Sequence, residues 1–116
     1  MLPKENRLKN KYAFKATYRL KNFHYKSGIT LNVGKLNSSQ TPVKIGFVVS
    51  KKTHKRAVKR NRLKRLMRES VRLYLKENND SLNKYLSLIF TANSSALNKD
   101  FKEIDIAVRK LIEEVL

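Results

Sequence analysis

THKRAVKRNRLKRLMRESVRLYL, residues 53–75, is the stretch on which the fold turns. At 3.6 residues per helical turn, Leu63, Leu66, Met67, Ser70, Leu73 and Tyr74 fall on one side. Asn61, Lys64, Arg65, Arg68 and Arg72 fall on the other, with Arg60 and Arg62 on the flanks. The pattern predicts a helix over about Arg56–Lys76 that lays an oily face on a sheet and turns guanidinium groups outward. Most charged helix faces are simply solvated, but those mix both signs. Here Glu69 is the single acid against twelve Lys or Arg in residues 51–76, so internal ion pairs cannot neutralise the row. Arginine forks bidentately onto phosphate and stacks on bases, which lysine does not. Nucleic acid is therefore the expected partner. An anionic membrane surface fits poorly, because the apolar side contains Ser70 and is sized for a protein core.

The flanking segments supply the sheet that this helix needs. Val43–Ser50 alternates, with Val43, Ile45, Phe47 and Val49 on one face. Ile29–Leu36 does the same, with Ile29, Leu31 and Val33 opposed to Thr30, Asn32 and Gly34. Asn22–Gly28 ends in a turn-like Lys-Ser-Gly and has room for a short edge strand, and Asn37–Pro42 reads as a loop. After the helix, Glu77–Asp80 is a stop, Tyr85–Ala92 a buried strand, and Asn93–Leu97 a loop. Asp100–Val115 has helical spacing, and Asp100 with Glu103 fits a capping box. A first helix fits Asn10 to about Lys21. The order is αβββαβα, which predicts an α+β two-layer sandwich in a single domain over residues 1–116.

Composition narrows the function. The chain has 116 residues, 41% of them hydrophobic, with 27 Lys+Arg against 9 Asp+Glu and a net charge of +18. The excess is concentrated: residues 51–76 carry net +11 and residues 1–26 net +7, whereas residues 77–116 carry net −2. A concentrated patch is the footprint of an extended polyanion. Cysteine is absent, which excludes thiol catalysis, disulfides and Cys-ligated zinc. Two histidines, His24 and His54, are too few for a histidine-built metal site. No apolar run approaches the ~20 residues of a membrane span, and the N-terminus lacks the apolar region of a secretory signal.

In the first helix, Lys11, Phe14, Tyr18 and Lys21 share a stripe, with Ala13, Ala16 and Leu20 on the other side available for packing. Aromatics framed by lysines suit single-stranded nucleic acid. They equally suit a core, and periodicity leaves the two open.

Val48-Val-Ser-Lys-Lys52, then Ala57-Val-Lys-Arg-Asn-Arg-Leu-Lys-Arg65 and Arg68-Glu69, resemble the signature of the bacterial ribonuclease P protein subunit, with Arg60-Asn61-Arg62 as its "RNR" core. Asn6-Arg7-Leu8-Lys9 with Phe14 and Tyr18 is similar to that family's N-terminal helix, and the resemblance runs from about Asn6 to Val115. It implies the fold of the second domain of ribosomal protein S5, with a left-handed crossover around the basic helix. It also implies a cytoplasmic ribonucleoprotein that removes the 5′ leader from precursor tRNA, with the active site and most of the Mg2+ on the partner RNA and no further protein partner required. Arg60, Asn61, Arg62, Lys64, Arg65 and Arg68, flanked by Arg56 and Arg72, would dock on the catalytic RNA. Lys11, Phe14 and Tyr18 would meet the single-stranded leader, with Asn32, Val48 and Ser50 beside Thr30 as the cleft floor and Lys51 and Lys52 near its edge. Two departures stand out. Asn32 replaces a frequent aromatic, and Thr91–Ser95 lacks the Arg or Lys that relatives often place there.

A protein-borne nuclease site is not expected. Asp100, Glu103, Asp105, Glu113 and Glu114 read as helix-surface charges, and Glu69 as the partner of Arg65 or Arg72. His54 reads as exposed or phosphate-facing, and His24 as lining an edge strand without a partner. The alternative function is a structural ribosomal-type RNA-binding protein or RNA chaperone, which needs the charge but no leader cleft. A DNA regulator would need a helix-turn-helix, and the basic helix follows a strand too closely for a preceding partner helix.

Overall fold

A computed structural model describes residues 2–39, 41–78 and 80–116. Met1, Gln40 of the expected Asn37–Pro42 loop, and Asn79 of the expected helix stop lie outside the described residues. The elements follow the expected order: α1 (Lys11–Arg19), β1 (Phe23–Lys26), β2 (Ile29–Val33), β3 (Lys44–Val48), α2 (Ala57–Glu77), β4 (Ser87–Ala92) and α3 (Phe101–Val115). The sheet order is β1-β2-β4-β3. β1, β2 and β4 are antiparallel neighbours, and β3 runs parallel to β4. The architecture is thus α+β, with a mixed four-stranded sheet and three helices.

Strand alternation sets the two faces of the sheet. Ile29, Leu31, Val33, Ile45, Leu88, Phe90 and Ala92 point inward and are buried. Phe90 sits opposite Leu31 on one side and Phe47 on the other, and its ring stacks on Phe47 at 5.8 Å. α2 and α3 cover this face with Leu63, Met67, Val71, Tyr74, Ile104, Val108, Leu111 and Ile112. On α2 the buried stripe includes Val71, while Leu66 and Leu73 are only half-buried. The reason is α3, which packs against the Ser70–Val71 side and rotates the covered face towards itself. Ser70 Oγ donates to Asp105 Oδ1 at 2.6 Å. Arg109 bonds both Asp105 and Glu77, and lies over the Tyr74 ring at 5.8 Å. Asp105 is therefore a strut between helices rather than a surface charge. The capping box of Asp100 and Glu103 is present.

At its N-terminus α1 is capped by Asn10, whose Oδ1 accepts from the Tyr12 N–H at 2.8 Å. It stops at Arg19, short of the expected Lys21. Leu20, expected to pack, is 42% exposed, and Thr17 is the buried residue at 1%. Helix α1 ends before Leu20, and the turn swings that side chain away. Lys21 makes the turn with φ 52°, in the left-handed region, where a Cβ costs about 1–2 kcal/mol. Lys21→Gly should relieve this and raise stability by up to about 1 kcal/mol, read by urea unfolding; a loss of stability would mean that the lysine side chain holds the turn. The β1–β2 hairpin turns on Ser27 and Gly28, both with positive φ (51° and 86°), as a two-residue turn requires.

Residues Asn6–Lys9, which resemble part of a first helix, precede it instead. Leu8 N–H donates to Ile45 O at 3.0 Å and Asn6 Nδ2 to Val43 O at 2.9 Å. The segment runs along β3 and covers its otherwise open edge.

Candidate nucleic-acid interface

The outer face of the sheet is the polar one, and α1 crosses part of it. The inter-strand registers give two rows. Tyr25, Thr30, Thr91 and Val48 form one; Phe23, Asn32, Ile89 and Gly46 form the other. α1 covers the second row at its β3 end. The ring tip of Phe14 rests on Gly46, where a Cβ would lie 2.6 Å from Phe14 Cζ. Thr17 Oγ1 and Ser87 Oγ meet at 2.6 Å and pin the helix to β4. This explains why β4 reads as an unbroken apolar run: Leu88 and Phe90 face α2 and α3, while Ile89 is covered on the opposite side. The rest of the outer face is open. Thr30, Asn32, Val48 and Thr91 are all half-exposed.

Phe14 is both core and surface. It is half-buried, seated on Gly46, and also lines a groove of about 350 Å³ with Lys9, Lys64 and Arg68. Tyr18, one turn further on, is 40% exposed, and Lys11 is exposed at the helix start. Ser50 lies past the end of β3, in an exposed turn with Lys51 and Lys52 between strand and basic helix. Of the residues expected to meet the leader, Phe14, Asn32 and Val48 thus come together at the outer sheet face. Lys64 and Arg68 reach the Phe14 groove from α2, a junction that helix periodicity alone did not foresee.

The arginines of α2 fall into two groups, those held within the protein and those left open. Arg60 Nη1 donates to His54 O and Lys55 O, both at 2.7 Å, and ties down the turn before the helix. Arg62 donates to Leu97 O and Lys99 O at 3.3 and 3.1 Å, fastening α2 to the loop before α3. Arg72 forks onto Glu69, Nη2 to Oε1 at 2.6 Å and Nε to Oε2 at 3.0 Å. The Arg72 hydrogen bond holds the Glu69 carboxyl below its ordinary range and raises the guanidinium's. Among the described residues no carboxylate pairs with Arg56, Lys64, Arg65 or Arg68. Lys64, Arg65 and Arg68 share one side of α2 with exposed Asn61, and Arg56 precedes the helix as its N-cap residue. His54 serves the fold, since its Nδ1 accepts from the Arg56 N–H at 3.0 Å at the start of the helix.

Most other carboxylates lie away from the basic helix, and several are occupied. Glu114 meets Lys26 Nζ at 2.9 Å and His24 Nδ1 at 3.3 Å, so His24 has a partner after all. The Lys26 bond holds the Glu114 carboxyl below its usual range. Among the described residues no three of His, Asp and Glu gather as a metal-ligand set, and no helix is long and apolar enough to cross a membrane.

A mixed sheet open on one side, with a basic helix beneath it and aromatics above, defines a small α+β protein that offers one flank to a polyanion. A family model described as Ribonuclease P matches residues 2–116. Ribonuclease P protein component from Clostridium botulinum (strain Langeland) is 33% identical over 111 residues, 96% of this chain and 95% of the relative. The protein of that name from Pseudanabaena is 35% identical over 104 residues, 90% and 85% of the two chains. The chain belongs to the ribonuclease P protein family, and is a component of a ribonucleoprotein endoribonuclease of tRNA processing whose partner is ribonuclease P RNA. The fold agrees. The Staphylococcus aureus RNase P protein superposes with a TM-score of 0.76 at 21% identity, over 97% of this chain and 96% of that one. The Thermotoga maritima protein gives 0.75 at 18% identity, over 95% and 97%.

Proposed function

We propose that the chain grips two RNAs at once. The row Arg56, Asn61, Lys64, Arg65 and Arg68 docks on the catalytic RNA, and the open sheet face beside Phe14 and Tyr18 holds the single-stranded 5′ leader of precursor tRNA. Lys51 and Lys52 neutralise phosphate where the two meet. The supporting observation is the groove in which Lys64 and Arg68 of the basic helix line the same wall as Phe14. Magnesium and the bond-breaking chemistry reside on the RNA; the protein contributes positioning and charge in the cytoplasm.

Reconstitution with the catalytic RNA tests this. Added protein should restore precursor cleavage at low magnesium, and the holoenzyme should bind precursor more tightly than mature tRNA. Equal affinities would favour a general RNA-binding role. Phe14→Ala should spare RNA docking and mature-tRNA binding and weaken precursor binding by about 1–3 kcal/mol. An unchanged precursor affinity would assign that ring to packing alone.

A further inference from the structure

Phe23 and Tyr25 lie outside the hydrophobic core. Both lie on β1, 61% and 54% exposed. His24 and Lys26, between and beside them, point to the α3 side and engage Glu114. Alternation therefore sends Phe23 and Tyr25 to the opposite, open face. The register agrees, with Phe23 opposite Asn32 and Tyr25 opposite Thr30, and directly opposed residues of antiparallel strands share a face. Single exposed aromatics are ordinary on protein surfaces. Two consecutive same-face aromatics on an edge strand, continuous with a face already lined by Phe14 and Tyr18, are not scattered. The Tyr25 ring is also steadied, with its hydroxyl accepting from Asn93 Nδ2 at 3.4 Å.

The charge around this patch suits one occupant. α1 and the four strands contain no acidic residue, and Lys21 lies on the turn leading into β1. A polyanion meets no carboxylate on these elements, and its bases find flat apolar rings. Position supplies a direction. α2 packs on the β3 side of the inner face and α3 on the β1 side, so β1 is the sheet edge farthest from the basic helix. Neighbouring strands lie about 4.8 Å apart, so three strand spacings put Phe23 roughly 15 Å across the sheet from Gly46, where Phe14 sits.

We propose that Phe23 and Tyr25 form a second stacking platform, which takes unpaired leader bases distant from the cleavage site. It stands in for the aromatic that Asn32 lacks, displaced by one strand. The inference rests on the leader reading above and adds that contact to long leaders runs on to the β1 edge.

The test uses holoenzyme reconstituted with the catalytic RNA and precursor tRNAs of graded leader length. A Phe23→Ala/Tyr25→Ala double variant should bind long-leader precursors roughly tenfold more weakly per stacked base, with short-leader precursors and mature tRNA unaffected. Phe23→Tyr/Tyr25→Phe should restore binding, since every aromatic has a stacking face. An equal loss for all substrates, mature tRNA included, would make the pair structural and overturn the platform. No loss at any length, with Phe14→Ala still impaired, would overturn the platform and leave the leader reading intact. No leader dependence in either variant would sink both. If the double variant abolishes self-association while leader binding stays normal, the patch is an interface between copies, and the proposal fails.

Discussion

Arg65→Ala combined with Arg68→Ala is expected to weaken binding to the catalytic RNA by about 3–6 kcal/mol, two charge-assisted hydrogen bonds' worth. It should also lower the slope of log affinity against log salt by roughly 2, one unit per lost phosphate contact. Both residues lack a carboxylate partner among the described residues, so nothing inside the protein has already neutralised them. Arg72→Ala is the matched control. Its guanidinium is forked onto Glu69, and its loss should change RNA affinity by less than about 1 kcal/mol, the scale of an exposed ion pair. Filter binding across a salt series reads both quantities. If Arg72→Ala costs as much as the Arg65/Arg68 pair, ion pairing does not decide which arginines reach RNA.

The second large effect concerns the core beneath both surfaces. Phe90 is fully buried at the centre of the inner face and stacked on Phe47. Phe90→Ala should destabilise the free protein by about 3–5 kcal/mol, the lost transfer energy plus the cavity left behind. A domain of this size has roughly 5–15 kcal/mol in hand, and this one also carries a self-repelling net charge of +18. The variant should therefore lose a large share of its stability when free. The proposed docking surface exists only when α2 is folded, so saturating RNA should recover much of the loss by mass action. Urea unfolding with and without RNA measures it. A loss under about 1 kcal/mol would mean that the sheet and helices close around the vacancy.

The wall shared by Phe14, Lys64 and Arg68 shows how far apart in the chain the site's parts lie, since some fifty residues separate Phe14 from Lys64. The same distance in sequence limited what could be foreseen elsewhere. A helical wheel shows Arg60 and Arg62 as cations but not their carbonyl partners, which belong to residues 54–55 and to Leu97 and Lys99. The exposure of Leu20 and the burial of Thr17 depend on where α1 stops and on Ser87, seventy residues downstream of Thr17. The Phe23-His24-Tyr25-Lys26 alternation was visible in the chain and would have placed both aromatics on one face. Which face remained undecided until Glu114 drew His24 and Lys26 to the other side.

By itself the amino-acid sequence determined the element order, the faces of β2 and β3, the capping box, the polyanion partner and the family, because side-chain period, caps and charge density are local properties of the chain. Tertiary structure alone decided the strand order, the edge cover supplied by Asn6–Lys9, which arginines bond within the protein, and the meeting of the basic helix with Phe14 in one groove. Each of these depends on pairings between residues far apart in sequence, and a local pattern carries no information about which distant group will arrive.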